Sequence, residues 1–459
     1  MQDLTSGSIT QHLLKTASFM LVTMIFQTMY FLIDLYWVGR LGKEAVAAVA
    51  IAGNLTFIVL AVSQMLGVGT TTLVSHAAGR KDHEQALLVF NQSQVLSIVV
   101  GAIFLVVTLL LLGPYTSTLG ADSETAELAR QYLLWFIPAM SLQFVMAAMG
   151  AAMRGSGNFK PGMIVSTATV LLNMLLAPFL IFGWVTGVPL GVAGAALSSL
   201  VAVVIGTIWL ATYFLKPTTY LHFVASQWRP QFSLWGRMLK IGLPAGGEFA
   251  LMAVYLFIVY VIARPFGAAA QAGFGIGLRV VQAGFMPVVA LGFSVAPVAG
   301  QNVGARLASR VRKTYSTAAI MAVSVMAVFA VVCWIAAGAM VRVFSSDPQV
   351  IAVGTEYLRI VAWTFVGSGI VFVSSSMFQA LGNTLPPLGA SFARILFVAI
   401  PAVMMSRMPG FELRWIWYLS VASVVFQVAI VLWLLQREFR VRLSPFETLQ
   451  SASATVGTP

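Results

Sequence analysis

Two carboxyl groups and several neutral polar side chains lie inside long apolar segments of this 459-residue chain. Asp34 falls within FQTMYFLIDLYWVG, and Glu248 falls within GLPAGGEFALMAV. Residues four and seven positions apart share one face of a helix, so Gln27, Tyr30 and Asp34 form a polar stripe. An amide, a phenol and a carboxylate on one face indicate a substrate-lining surface whose carboxylate could carry a proton or bind a sodium ion.

Each carboxyl group also has a structural interpretation. Asp34 could be hydrogen-bonded only for packing. Glu248 follows Pro244 by one turn, early in a predicted seventh span at 240–263, so it could bind backbone groups that the proline leaves unpaired. It could also pair with a basic residue near or within a span, the candidates being Arg279, Arg359 and Arg394. The sequence leaves the role of Glu248 open.

Two further polar positions lie in the predicted fifth and sixth spans. Asn173 stands in TVLLNMLLAPFLIFG, where an amide needs a hydrogen-bonding partner from another helix. Ser198 and Ser199 lie in GVAGAALSSLVAV, whose small residues allow close helix packing. The two serines are therefore either interface hydroxyls or ligands.

The composition predicts that these segments cross a membrane. Hydrophobic residues make up 59% of the chain and charged residues 9%, whereas a soluble domain has roughly 25% charged residues. So few charges cannot cover a soluble surface, which excludes soluble enzymes, nucleic-acid readers and disordered proteins. About twelve segments reach the ~20 apolar residues that cross a bilayer, and they must be helices because lipid leaves no partner for an open backbone.

The charges of the loops predict how these spans are oriented across the membrane. The chain carries 26 Lys and Arg against 14 Asp and Glu, a net charge of +12. Most basic residues fall in alternate loops, and the other loops hold Asp122, Glu124, Glu127 and Asp347. Basic loops are cytoplasmic, so both termini of a multi-pass inner-membrane protein are predicted in the cytoplasm. The positive charge then needs no nucleic-acid partner.

An internal repeat organises the spans. Five motifs recur at a constant separation of 225 residues, among them LGADSE and FSSDPQ, and RGSGNFKP and QALGNTLPP. The sequence therefore predicts an all-α polytopic membrane protein of about twelve helices in two pseudo-symmetric six-helix bundles. The predicted parts are an N-lobe at 1–215 with spans 1–6, a cytoplasmic linker at 216–240, a C-lobe at 241–440 with spans 7–12, and a cytoplasmic tail at 441–459.

The sequence lacks the motifs for ATP hydrolysis and for metal binding. The chain has no GxxxxGK[ST] phosphate loop, so no ATP motor is predicted. It has no HExxH or Cys/His cluster, so no metal site is predicted. The single cysteine, Cys333, cannot form an internal disulfide and is predicted to be a small core residue.

The chain resembles the multidrug and toxic compound extrusion (MATE) family over about residues 10–440. The resemblance rests on an ordered set of motifs, including QTMYFLIDLYWVGRLG, GVGTTTLVSHAAGRKDHEQA, LLNMLLAPFLIFG and PVAGQNVGA. The aspartate in the first span makes the chain look most like the DinF-like branch. This resemblance implies twelve helices in two lobes and efflux of organic, often cationic or amphipathic compounds driven by proton or sodium entry.

The resemblance also implies roles for individual residues. It places Asp34, Asn173 and Ser199 at the cation-coupling site of the N-lobe, and Gln27, Tyr30 and Asp34 beside the substrate. Glu248 is kept as a secondary candidate in the C-lobe. No cofactor is implied beyond the coupling ion.

The sequence departs from the family pattern at three places. The fifth span has Ala177 where many DinF-like members have a second acid, which favours protons over sodium. Phe19 stands where the family often has a helix-bending proline, although its repeat mate is Pro244. Glu248 comes a turn before the family's seventh-span acid, and the tenth span, WTFVGSGIVFVSS, has no acid, so a C-lobe sodium site is not predicted.

The leading hypothesis is a monomeric proton-coupled efflux antiporter in contact with membrane lipids, with alternating access of two lobes around a central cleft. One alternative is a lipid or lipid-linked precursor flippase of the same superfamily, although such flippases have a more basic central cavity. Another is an intramembrane enzyme or signalling protein, for which the sequence offers no recognisable nucleophile or metal constellation.

Overall fold

All regular secondary structure in the part of the chain that the structure describes is helical. The computed structural model describes residues 1–120, 122–184 and 187–456, with residues 447–456 as backbone alone. Twelve helical segments in this part of the chain are long and apolar enough to cross a membrane, which confirms the predicted number. The short α4 is not among them, and α11 and α12 together form one span. The helices are α1 Ile9–Gly39, α2 Lys43–Gly79, α3 His83–Leu110, α4 Leu112–Leu119, α5 Ser123–Gly155, α6 Phe159–Phe182, α7 Gly191–Thr212, α8 Phe232–Ala263, α9 Ala268–Gly304, α10 Ala308–Arg342, α11 Pro348–Val361, α12 Phe365–Leu381, α13 Leu385–Met405 and α14 Arg414–Val456.

The chain divides into two compact units. Unit 1 contains Met1–Asp3 and Ser18–Gly246, and unit 2 contains Leu4–Ala17 and Gly247–Pro459. The predicted linker at 216–240 therefore belongs to unit 1, and most of the polar N-terminal segment belongs to unit 2. The α14 helix continues through the predicted tail to Val456, and residues 457–459 lie outside the described residues.

Two buried amides of α3 fix the linker within unit 1. The Asn91 Nδ2 group donates to the carbonyl of His222 at 3.1 Å, and its Oδ1 accepts from the Val224 N–H at 3.0 Å. The Gln92 Oε1 accepts from the Gln231 N–H at 2.9 Å. Both amides are fully buried, so they give the linker backbone the partners that a loop otherwise takes from water.

A corresponding set of polar groups fixes the N-terminal segment within unit 2. The Leu4 N–H donates to Gln301 Oε1 at 3.0 Å, and Asn302 Nδ2 donates to the Leu4 carbonyl at 3.2 Å. The Arg310 guanidinium donates to the carbonyl of Gly7 at 3.1 Å. These bonds account for the assignment of residues 4–17 to the unit that contains α9 and α10.

Repeat mates share their unusual backbone conformations. Lys81 and Arg306, 225 positions apart, have φ angles of 60° and 58°, which non-glycine residues seldom adopt. Asp122 and Asp347, another pair of mates, cap the helices that follow them, with bonds of 2.7 and 2.8 Å to backbone N–H groups. The duplication read from the sequence is therefore present in the local geometry of both halves.

Each unit has its own apolar core. In unit 1, α2 packs along α5, and the first part of α8 approaches α2 so closely that a Cβ on Gly242 would lie 2.0 Å from the Met65 carbonyl oxygen. In unit 2, the rings of Phe274, Tyr357 and Trp417 contact one another with centroid separations of 4.8 to 5.3 Å. Cys333 is fully buried there, which confirms its predicted place in the core.

Candidate functional site

The first cluster of polar side chains lies in unit 1 and has Ser199 at its centre. Tyr30 Oη lies 3.1 Å from Ser199 Oγ, and Asn173 Nδ2 donates to the same oxygen at 2.8 Å. The Ser199 hydroxyl also lies 3.3 Å from the carbonyl of Ala195 in its own helix. If it donates there, its two lone pairs accept from the phenol and the amide, which satisfies every hydrogen-bonding position of the hydroxyl. Ser199 thus joins α1, α6 and α7.

Asp34 lies one helical turn after Tyr30, beside this cluster. Its side chain is 9% exposed, and its Oδ1 has no hydrogen-bond partner among the described residues. Asn173 Oδ1 is a second buried acceptor without a partner in the same part of the chain. Unsatisfied buried acceptors are rare in folded proteins because each costs about 1–3 kcal/mol. Asp34 Oδ1 is therefore the candidate for holding a proton, and both oxygens are candidates for binding a cation.

Tyr132 of α5 completes the surroundings of Asp34. It is 2% exposed and lies close enough to Asp34 and Tyr30 to interact with both electrostatically. The site prediction had not included it, although the repeat contains the signal. The repeat mates of Tyr30 and Tyr132 are Tyr255 and Tyr357, which also lie near each other in unit 2. The same tyrosine pair thus recurs in both halves.

The structure separates one predicted residue from this cluster. Gln27 shares the α1 face with Tyr30 and Asp34, but its side chain is exposed and makes no hydrogen bond to the described residues. Its place beside a substrate therefore stays a prediction. The cluster itself consists of Tyr30, Asn173 and Ser199, with Asp34 and Tyr132 next to it.

A second cluster lies in unit 2 around Glu248. The α8 helix begins at Phe232, before the predicted start of the seventh span, so Glu248 lies near its middle. Its Oε1 accepts from Ser375 Oγ at 2.9 Å and from Ser391 Oγ at 3.3 Å. These partners come from α12 and α13, so the carboxylate bonds to side chains of other helices rather than to the backbone near Pro244.

This second cluster continues to Arg394 through a neutral amide. Gln427 Nε2 donates to Ser391 Oγ at 3.1 Å, and Gln427 Oε1 accepts from Arg394 Nη1 at 3.3 Å. Arg394 Nε also donates to Ser423 Oγ at 3.2 Å. The guanidinium lies 5.0 Å from the ring centroid of Tyr255, a cation–π distance. Of the three arginines considered as partners of Glu248, Arg394 is thus connected to it, but only through neutral side chains.

These oxygen-rich groups differ from a transition-metal site. Within the described residues, no group of three or more His, Cys, Asp and Glu side chains could hold a metal ion. The carboxylate, amide and hydroxyl oxygens of the first cluster are ligand types that suit a proton or a hard cation.

Comparisons of the sequence with known proteins point to a family of membrane proteins. A family model described as MatE matches residues 20–179 and 244–404, one range in each half of the repeat. Multidrug export protein MepA of Staphylococcus haemolyticus (strain JCSC1435) is 28% identical over 371 residues, 79% of this chain and 80% of that protein. MepA of Staphylococcus saprophyticus is 26% identical over 420 residues, 90% of each chain.

Solved structures share the fold. One described as "Crystal structure of MATE in the bent conformation" gives a TM-score of 0.89 at 23% identity and covers 98% of both chains. A MOP superfamily transporter from Pyrococcus furiosus gives a TM-score of 0.87 at 24% identity, over 97% of this chain and 98% of that one. At these identities the likeness shows the all-helical fold.

Proposed function

Because the chain belongs to the MATE family, whose model matches both of its halves, we propose that it exports organic, often cationic or amphipathic compounds by antiport with protons. The name of its relatives, multidrug export protein, supports small-molecule efflux as the activity. The family match also supports a multi-pass transporter and not an enzyme. We place the protein in the inner membrane as a monomer, with both termini in the cytoplasm.

The observation that carries proton coupling is the buried carboxyl group of Asp34. Its Oδ1 is an unpartnered acceptor beside a cluster made of neutral groups, namely Tyr30, Asn173 and Ser199. A sodium ion is held by several oxygen ligands at once, and a second carboxylate would strengthen such a site, whereas a proton needs only one carboxylate. The chain has Ala177 where a second acid would stand, so we assign the proton as the coupling ion.

Protonation changes what Asp34 can bind. A carboxylate only accepts hydrogen bonds, whereas a protonated carboxyl group also donates one. Asn173 Oδ1 is a buried acceptor that still needs a donor. The protonated and charged forms thus favour different side-chain contacts, and a ligand can shift a conformational equilibrium only through such a difference.

The transport cycle follows from this difference. Asp34 takes a proton from outside, and the change in its contacts releases the exported compound from the N-lobe. Loss of the proton toward the cytoplasm restores the state that binds the compound. Alternating access of the two lobes converts these steps into export, as in other transporters built from repeats.

The test is Asp34→Asn in proteoliposomes, measured as exchange of a cationic dye for protons. The variant keeps the size of the side chain but cannot titrate, so we expect proton-driven dye transport to fall to the level of empty liposomes. Asp122→Asn is the matched control, since it makes the same substitution at an exposed helix cap and should transport normally. Wild-type exchange by Asp34→Asn would refute the assignment.

A second measurement identifies the ion. Proton and sodium gradients are imposed separately on liposomes that contain the wild-type protein, and dye accumulation is followed for each. We expect accumulation with the proton gradient and none with the sodium gradient alone. Dye accumulation driven by a sodium gradient at constant pH would show that sodium, and not the proton, is the coupling ion.

A further inference from the structure

Unit 2 holds two opposite charges at membrane depth that do not neutralise each other. Glu248 lies near the middle of α8, and Arg394 lies near the middle of α13. Ser391 and Gln427 stand between them, each bonded on both sides. Ionic groups inside a membrane usually pair directly, because an isolated charge in hydrocarbon is costly. Two charges held apart by neutral side chains are therefore a feature that needs an explanation.

Three of the neutral partners are buried, whereas Ser391 and the two charged groups are partly exposed. Gln427 and Ser375 are each 4% exposed, and Ser423 is fully buried. Glu248 and Arg394 fall in the intermediate range of exposure. The buried groups thus hold the two charged side chains, and each charged side chain keeps part of its surface exposed.

Each charged group also keeps bonding capacity. Glu248 uses Oε1 for both serine hydroxyls, and Oε2 makes no hydrogen bond to the described residues. Arg394 uses Nε and Nη1, and Nη2 likewise makes none within the described part of the chain. A guanidinium offers a planar fork for a carboxylate or phosphate, and a carboxylate oxygen accepts from an ammonium group.

The repeat shows that these charges belong to unit 2 alone. The positions 225 residues before Glu248 and Arg394 hold Thr23 and Thr169, which are neutral. Tyr255, beneath the guanidinium, does have a tyrosine mate, Tyr30. The two halves thus share the aromatic residue but differ in charge at the positions of Glu248 and Arg394.

We propose that Glu248 and Arg394 form a second binding subsite, within unit 2, for a zwitterion that carries an ammonium group and a carboxylate or phosphate. Glu248 Oε2 accepts from the ammonium group, and Arg394 Nη2 donates to the acid. The ring of Tyr255 supplies an apolar wall beside the guanidinium. A simple cation would meet the repulsion of Arg394, and a simple anion that of Glu248, so a ligand with both charges fits best.

This inference deepens the proposed export function by naming a further class of cargo, and it rests on that function only for transport. Binding itself does not require Asp34. The substitution Asp34→Asn should therefore abolish proton-driven export and leave binding to this subsite unchanged. Failure of the subsite and failure of the coupling assignment can thus be told apart.

The experiment uses three probes of the same shape. The first is 4-(piperazin-1-yl)benzoic acid, a zwitterion at neutral pH, the second is its methyl ester, a cation, and the third is its N-acetyl derivative, an anion. Binding to the full-length protein in detergent is measured by isothermal titration calorimetry at constant pH. We expect the zwitterion to bind at least about tenfold more tightly than either singly charged probe, since each charged contact contributes about that much.

Variants assign each contact. Glu248→Gln should weaken the zwitterion and the ester by about tenfold and strengthen the N-acetyl compound, which no longer meets the repulsion of Glu248. Arg394→Gln should weaken the zwitterion and the N-acetyl compound and strengthen the ester, which no longer meets the repulsion of Arg394, and Arg394→Lys should restore part of the loss. Thr23→Val and Thr169→Val, at the repeat mates, are the matched controls and should bind all three probes as the wild type does.

Equal affinity for the three probes would overturn the subsite. An unchanged affinity for the zwitterion in both Glu248→Gln and Arg394→Gln would also overturn it. Should Arg394→Gln not fold, judged by its thermal unfolding in detergent, Arg394→Lys and Glu248→Gln still decide the question. A lipid headgroup carries the same pair of charges. Displacement of the probe by added phosphatidylethanolamine would support the subsite and identify lipid as an occupant, and an unchanged probe affinity would support a soluble zwitterion.

Discussion

Replacing Ser199 with alanine should separate the hydrogen-bonded cluster of unit 1 from ordinary helix packing. Ser199 is bonded to Tyr30 at 3.1 Å and to Asn173 at 2.8 Å. Its neighbour Ser198 is equally buried, but its hydroxyl bonds only to the Ala195 carbonyl, at 2.7 Å. The substitutions Ser199→Ala and Ser198→Ala remove the same atom from adjacent positions of α7, so their difference isolates the two bonds between helices.

The magnitude follows from the groups left unpaired. Without Ser199 Oγ, the Asn173 amide has neither a donor bond nor an acceptor bond among the described residues. A buried polar group left unsatisfied costs about 1–3 kcal/mol. We therefore expect Ser199→Ala to lower the free energy of unfolding by about 1–3 kcal/mol more than Ser198→Ala. The measurement is an SDS titration of the detergent-solubilised protein, followed by tryptophan fluorescence.

A double-mutant cycle with Tyr30→Phe tests the contact itself. The coupling between Tyr30→Phe and Ser199→Ala should be about 0.5–1.5 kcal/mol, the net contribution of a neutral hydrogen bond. The same cycle with Ser198→Ala should be additive. In proteoliposomes, Ser199→Ala should also slow proton-driven dye transport, whereas Ser198→Ala should not. Equal destabilisation by the two serine variants, or a coupling below about 0.3 kcal/mol, would refute the role of Ser199.

Two further predictions concern the bonds from Asn91 of α3 to the linker and the helix cap at Asp122. Asn91→Leu leaves the carbonyl of His222 and the N–H of Val224 without their buried partner. Proteolysis within 216–231 should therefore be faster in this variant than in the wild type. An unchanged rate would contradict the role of Asn91 in fixing the linker. The Thr125 N–H donates to the Asp122 carboxylate and lowers the pKa of that carboxyl group. The hydrogen bond therefore stabilises the folded protein above about pH 4, and this stabilisation is lost as the pH falls through the lowered pKa. The unfolding temperature of the wild type should fall more steeply over this acidic range than that of Asp122→Asn, and parallel curves would contradict the cap.

The fold could be predicted because its signals are local. A run of ~20 apolar residues indicates a span wherever it stands, and a constant separation of 225 residues indicates a duplication. The ends of the helices were harder to predict. The α8 helix begins at Phe232, whereas the predicted span begins at residue 240. The segment SLWGRMLK between them is helical but too polar to be counted within an apolar span.

The candidate site was only partly predictable because its bonds join distant parts of the chain. Tyr30, Asn173 and Ser199 were each named from polarity, but the contact between Tyr30 and Ser199 spans 169 positions. The bonds of Glu248 to Ser375 and Ser391 span 127 and 143 positions, and no pattern near Glu248 indicates them. Gln27 shares a helix face with Tyr30 and Asp34, but the sequence does not indicate that its side chain is exposed whereas that of Asp34 is buried.

The units of the fold do not coincide with the two copies of the repeat, and this bears on the ancestry of the chain. Residues 4–17 belong to unit 2, and their repeat mates, 229–242, belong to unit 1. Each copy thus lends its opening segment to the other, which is the topology of a domain-swapped dimer whose subunits have been fused. A chain cut at the present linker would yield two fragments that each complete their unit only by pairing again.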